Sequence, residues 1–180
     1  MKRNNSIFKK ALGIILVLAV CISLAGNSSV SRAASGYKIK VNKQKNCVTI
    51  YKMNANGKYK PVKAMVCSTG AATPVGTFPL GEKMRWHTLI GPCYGQYCTR
   101  IHGGILFHSV WYYKPSPSTL SSEAYNRLGT TASHGCVRLT VADAKWIYDN
   151  VPSGSPVTVY NSSKPGPLGK PSGIRLPSSS

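Results

Sequence analysis

The chain has 180 residues, 23 lysines and arginines against 4 aspartates and glutamates, and a formal net charge of +19. With 42% hydrophobic residues it is neither collagen-like nor compositionally disordered, and its length supports one core of ordinary size. The positive excess favours an anionic partner, but the lysines from Lys38 to Lys63 are scattered and no nucleic-acid-binding motif is present. Nucleic acid is therefore set aside in favour of an anionic cell-wall polymer or membrane surface, with a solvated surface as the plain alternative.

Lys2, Arg3, Lys9 and Lys10 precede an apolar run from Ala11 to Ala25, and Ser31-Arg32-Ala33 supplies small residues where a signal peptidase cuts. Residues 1–33 thus read as a secretory signal peptide. The run is short for a membrane span and is interrupted by Gly13, Cys21 and Ser23. Val20 is too bulky for the lipoprotein cleavage pattern that Leu18-Ala19-Val20-Cys21 faintly resembles. No later segment is apolar enough to cross a bilayer, so the expected product is secreted or wall-associated, without stable membrane insertion. Beyond residue 33 the balance is 18 basic to 4 acidic residues, or +14.

A single domain is expected over residues 36–161. Two-residue apolar alternation predicts strands over Tyr37–Val41 and Cys47–Lys52, the second followed by a turn at Asn54-Ala55-Asn56-Gly57. Further strands are predicted over Pro61–Cys67, Gly76–Leu80 and Ile105–His108, and a helix over Ser121–Leu128. Thr140 is placed to cap a helix through Asn150, with Ala144, Ile147 and Tyr148 on one face. Val157–Tyr160 closes the domain as a strand. From Ser162 to Ser180 the Ser/Pro/Gly/Lys composition cannot build a core and reads as a disordered tail.

Of the six cysteines, Cys21 lies in the signal, leaving Cys47, Cys67, Cys93, Cys98 and Cys136. An exported chain permits disulfides, and an odd number leaves one thiol over. Cys93 and Cys98 flank Tyr94-Gly95-Gln96-Tyr97, which reads as a short turn closing a small loop. Cys47 and Cys67 lie in neighbouring apolar strands, where a pair and two buried free thiols are both open. On either account the unpartnered thiol is Cys136, in Ser133-His134-Gly135-Cys136-Val137-Arg138-Leu139. That turn sets a thiol beside a histidine, with Gly135 permitting close substrate approach and two backbone amides available to an oxyanion.

With Ser68-Thr69-Gly70, Thr73-Pro74-Val75-Gly76-Thr77-Phe78, Asp143-Ala144 and Gly154-Ser155-Pro156-Val157, this motif resembles the L,D-transpeptidase catalytic domain, the YkuD family, over the whole core. The resemblance implies a mostly β fold with a few short helices, a sandwich or partly open barrel carrying the Ser-His-Gly-Cys turn. It implies peptidoglycan stem peptides as substrate, Cys136 as acyl-enzyme nucleophile, no cofactor and susceptibility to carbapenems. It also demands an upstream histidine as base. His108, at the end of an apolar strand and followed by Ser109, is preferred over His102 in Ile101-His102-Gly103-Gly104, which reads as a surface residue; His87 matches no motif.

In that scheme Cys136 attacks the carbonyl of the third stem residue, His108 handles the thiol proton, and D-alanine leaves. The amides near Gly135 and Cys136 steady the oxyanion, His134 orients the turn or joins the oxyanion site, and Ser133 braces the turn. Ser109 and Trp111 face the substrate, the latter on the loop Trp111–Thr131 that walls the groove. Arg138 pairs with a substrate carboxylate or, structurally, with Asp143. An amine acceptor gives a 3-3 cross-link and water gives a carboxypeptidase; a monomer is expected. Two readings from other classes remain. Cys93, Cys98, His102 and His108 have the residue types of a zinc site but at unusual spacing, and no metal is expected. A non-catalytic cationic wall-binding protein would have lost the thiol or the base, and both are present.

Overall fold

Strands alternate because one side chain in two finds the core, and β1 (Tyr37–Asn42) shows it: Ile39 and Val41 are buried while Lys38 and Lys40 reach solvent. The computed structural model describes residues 35–173 and 175–177; the segment read as a signal peptide lies outside the described residues. β2 (Cys47–Met53) and β3 (Tyr59–Ser68) follow, joined by the expected turn, where Asn54 Oδ1 accepts from the amides of Asn56 and Lys58 and Gly57 has φ +71°. The remaining strands are β4 (Gly76–Pro79), β5 (Lys83–Leu89), β6 (Cys93–His102), β7 (Ile105–Ser109), β8 (Val137–Leu139) and β9 (Pro156–Tyr160).

All nine strands form one curled open sheet, a half-barrel, in the order β4-β9-β1-β2-β3-β8-β7-β6-β5. The mostly β fold with few short helices is as expected. β1 pairs in parallel with β9 and β7 with β8; the other ladders are antiparallel. Helix α1 is short (Ser122–Asn126), capped by Ser121 Oγ on the amide of Ala124. Helix α2 (Val141–Asn150) is capped by Thr140, whose hydroxyl accepts from the amide of Asp143, with that carboxylate in the first turn where the helix dipole favours it. Ala144 and Ile147 on α2 are fully buried among Ile39, Val48, Phe107, Val137, Leu139 and Val157, and Tyr148 is half-buried beside them.

Three expectations need correction. The sequence predicts a turn over Tyr94–Tyr97, but these residues lie inside β6; the reversal is at Ile90–Pro92, where Gly91 has φ +91° and the amide of Cys93 reaches Gly91 O. β5 alternates only at Met84 and Trp86, and β6 mixes small, polar and aromatic residues without a two-residue period. Second, the five cysteines from Cys47 onward are free thiols. Cys93 and Cys98 sit on one extended strand, so five residues hold them roughly 16 Å apart, far beyond disulfide reach. Cys47 stands opposite Val66, leaving Cys67 one residue out of step: Cys67 enters the core, and Cys47 Sγ meets Gly169 O at 3.4 Å.

Third, the segment after Tyr160 is not disordered in its described part. Asn42 Nδ2 donates to Ser162 O and Lys164 O, Lys170 Nζ donates to Gly129 O, and Asn126 bonds the backbone of Leu176 twice. Gly166 lies so close to β2 that a Cβ there would stand 2.1 Å from Thr49 Oγ1. Composition forbids this segment a core of its own, and the sheet supplies one. Gly166→Ala should therefore lift the segment: amide hydrogen exchange across residues 161–173 should rise at least about tenfold while the strands stay protected. Unchanged protection would show that the contact is not what holds it.

Candidate active site

The parallel pair β7–β8 builds the site by parity. Phe107 stands beside Val137 and His108 beside Arg138, and β3 on the other flank pairs Ser68 with Arg138. Phe107, Val137 and Leu139 are fully buried in the core, so the two-residue period turns His108 and Arg138 to the opposite face. Cys136 immediately precedes β8 and lies at that face's rim.

The turn before it is clamped to the loop after β3. Gly70 bridges Ser133, and a Cβ on Gly70 would stand 2.2 Å from Ser133 O and 2.5 Å from the His134 carbonyl carbon, so no other residue fits. The amides of Ala132 and Ser133 reach Thr69 O, and that of Ala72 reaches His134 O. Thr73 Oγ1 accepts from the amide of Gly70 and donates to Gly135 O at 2.6 Å. Gly135 is less tightly held: a Cβ would lie 2.6 Å from Ile105 Cδ1, the movable end of a side chain, and 3.3 Å from Ala72 Cβ. Ser133 Oγ donates to Cys136 O, bracing the turn as the sequence suggests. These contacts give Ser68-Thr69-Gly70 and Thr73 a physical role as the seat of the Cys136 turn.

Cys136, His108, Arg138, Ser133, His134 and Gly135 all line one cavity of about 300 Å³. Of the expected site residues, six are thus brought together. His108 is 1% exposed, and its Nδ1 donates to Ser109 O, which leaves Nε2 as the free acceptor. Burial pushes its pKa down to about 4, so the ring is neutral at neutral pH. Burial also raises the Cys136 thiol, opposed by the amide of Leu106 and by the charges of Arg138 and Arg100. The thiol points at Gly104 O, 3.7 Å away. Arg138 donates through Nη1 to Ala132 O, while its buried Nε has no partner among the described residues.

Other expected residues fall elsewhere. Ser109 is fully buried, its hydroxyl donating to Val110 O and accepting from the amide of Gln96, so it supports the strand and does not line the cavity. Trp111 packs edge-on against Tyr113 at 4.8 Å, outside the cavity. The loop Trp111–Thr131 is not the wall; the β5–β6 reversal is, through Thr88, Leu89, Ile90 and Cys93. Asp143 pairs with Lys63 at 3.1 Å and so is not the partner of Arg138. His102 is exposed and stacks on Phe78 at 4.6 Å, away from the cavity. Cys93, Cys98, His102 and His108 do not converge, and no three metal-ligating side chains do so among the described residues. Sequence reasoning missed His87, which lines the cavity without a motif to mark it, and the amide of Leu106.

The buried neutral imidazole has a stability consequence. Its folded pKa lies below the unfolded value of about 6.5, so the unfolded chain binds the extra proton first. Stability should therefore fall as pH drops from about 6.5 to about 4, by up to roughly 3 kcal/mol from this group. Urea unfolding at several pH values, compared with His108→Asn, should show the variant losing that part of the pH dependence. Parallel pH curves for the two proteins would refute it.

The chain is 44% identical over 92 residues to YciB of Bacillus subtilis (strain 168), which carries an L,D-transpeptidase designation; the match takes in 49% of this chain and 46% of that protein. An L,D-transpeptidase from Mycobacterium tuberculosis H37Rv superposes with a TM-score of 0.54 at 25% identity, covering 71% of this chain and 58% of the other. A fused Zn-dependent amidase/peptidase/peptidoglycan-binding-domain protein from Clostridium acetobutylicum ATCC 824 gives the same TM-score and identity over 69% and 52%. The matches thus span about half the length of these relatives. The sequence profile of the YkuD L,D-transpeptidase catalytic domain fits residues 36–159, nearly the whole half-barrel and every residue of the cavity described above. The chain belongs to the YkuD family of L,D-transpeptidase catalytic domains.

Proposed function

We propose that the protein is an exported cysteine L,D-transpeptidase that acylates Cys136 with a peptidoglycan stem tetrapeptide, releases D-alanine and transfers the acyl group to an amine of a neighbouring stem. The observation that carries this reading is the shared cavity: a thiol, a neutral imidazole with a free Nε2 and a guanidinium with an unpartnered Nε. The Cys136 proton passes to Nε2 of His108 as the sulfur attacks the carbonyl of the third stem residue. The amides of Gly135 and Cys136 receive the oxyanion, the bond to D-alanine breaks, and its nitrogen takes the proton from His108. Arg138 offers Nε to a carboxylate of the stem, and His134 lies at the exposed rim. An acceptor amine then replaces sulfur at the carbonyl, giving a 3-3 cross-link. This chemistry would place the protein in wall synthesis and shape maintenance, with the basic surface held against anionic wall polymer.

Purified protein incubated with stem tetrapeptides should yield a cross-linked dimer lighter by D-alanine, read by mass. Tripeptide alone would make it a carboxypeptidase, and no product from folded protein would favour the non-catalytic wall-binding reading. His108→Ala should lose about 10²–10⁴-fold in acylation rate, and His102→Ala little; the reverse order would overturn the base assignment.

Carbapenem exposure should give one covalent adduct mapping to Cys136 by intact mass and peptide mapping, and none in Cys136→Ala. Cys67 and Cys98 are buried and their thiols raised by that burial, Cys98 to about 12, so neither competes. Because His108 is neutral and the Cys136 thiol is raised, no preformed ion pair supplies thiolate. Capture should thus accelerate from about pH 6 to about pH 9. An adduct on Cys47, Cys67, Cys93 or Cys98, or a flat pH profile, would contradict this account.

A further inference from the structure

The cavity contains an imidazole that acylation does not use. His87, half-buried on β5, lines it with Cys136 and His108, and its ring makes no hydrogen bond to any described residue. It stands opposite Gly95 in the β5–β6 ladder. A side chain at position 95 would meet Cys98 Sγ at 3.0 Å and His108 Cβ at 3.1 Å, so the glycine lets these two side chains pack closely against β6. His87 and His108 are near enough that charge on His87 disfavours charge on His108.

The second half of the reaction has a proton that His108 cannot absorb. An acceptor amine arrives as ammonium at neutral pH, and becoming an amide nitrogen costs it two protons. One returns to the Cys136 sulfur through Nε2 of His108. The other must leave the cavity, and His108 is sealed from water with its Nδ1 already donated to Ser109 O. His87 lines the same cavity and is partly open to solvent, so it connects the two.

Resting on the transpeptidase reading, we propose that His87 is the base that deprotonates the incoming acceptor ammonium, and so decides between aminolysis and hydrolysis of the thioester. The balance is complete. His87 takes one proton from the ammonium, giving a free amine; the nitrogen–carbon bond forms as the carbon–sulfur bond breaks. The amine's second proton passes through His108 to sulfur, and His87 returns its proton to water. The titratable or charged groups facing this space are Cys93 on β6, His108 on β7, Arg138 on β8, and His134 and Cys136 on the turn.

The test uses the whole chain, a stem tetrapeptide donor and a stem acceptor, and measures cross-linked product against hydrolysed tripeptide across pH. In His87→Gln the ratio should fall about tenfold or more near pH 7 and recover toward the wild-type value in alkali, where the acceptor loses its proton unaided. A single-turnover burst of D-alanine reports whether the acyl-enzyme forms. A wild-type protein without a burst would defeat the parent reading. A burst with an unchanged ratio in His87→Gln, or a ratio depressed equally at every pH, would overturn the role of His87 alone. The same alkaline recovery in His134→Gln, with none in His87→Gln, would assign the proton to the other ring.

Discussion

The strand that follows the Ser-His-Gly-Cys turn is only three residues long, yet its register fixes the site. Val137 and Leu139 are fully buried, and each such side chain contributes about 1.5–3 kcal/mol by leaving water. A slip by one residue would expose both and drive the Arg138 guanidinium into the core, where an unpaired charge is far more costly than either gain. Held by β3 on one side and β7 on the other, β8 has one workable register. Arg138 and His108 are then neighbours on the cavity face, with Cys136 just outside the strand. A close approach completes the constraint at Gly70, where a single methyl group would collide with the backbone of the turn.

Burial then decides the electrostatics. For both Cys136 and His108 the loss of water is the largest influence, and in each case it favours the neutral form. The Leu106 amide and two arginines pull the thiol toward ionisation, but they oppose that effect without leading it. The resting pair is therefore thiol and imidazole. Outside the cavity the charge balance is one-sided. Three of the four acidic residues are held in ion pairs with Lys63, Arg100 and Lys145, and such surface pairs contribute about 0–1 kcal/mol each. Most of the cations remain without an acidic partner, some spread over rings, as Lys38 is over Tyr59 at 4.5 Å.

Local pattern carried much of this into the sequence. Strands with one face in the core announced themselves by alternation, the Thr140 helix by its cap and apolar stripe, and the Ser-His-Gly-Cys turn by residue types whose chemistry is local. The preference for His108 over His102 also rested on a strand ending in the right place. What the sequence could not display were facts of pairing. β6 mixes small, polar and aromatic residues without a two-residue period, and β5 alternates only at Met84 and Trp86, so their reversal at Gly91 and the cavity wall they form left little periodic trace. For Cys47 and Cys67, on neighbouring strands, a pair and two buried free thiols were both open, and only the register reveals that they are one residue out of step.

The same division runs through the individual site residues. Ser109 follows His108 in sequence, but strand parity turns it away from the cavity, and its hydroxyl is spent on Gln96 and Val110. His87 belongs to no motif and enters the cavity only because β5 folds back beside β6. The segment after Tyr160 is too poor in apolar residues to order itself, and a sheet surface it cannot encode holds Gly166 and Gly169 in place. The sequence by itself determined the chemistry-bearing turn, the alternating strands and the family, because each depends on residues close together in the chain. Tertiary structure decided which histidines share a cavity, which thiols are buried and which residues wall the site, because side-chain direction and solvent access follow from strand register, and register is fixed by contacts between distant segments.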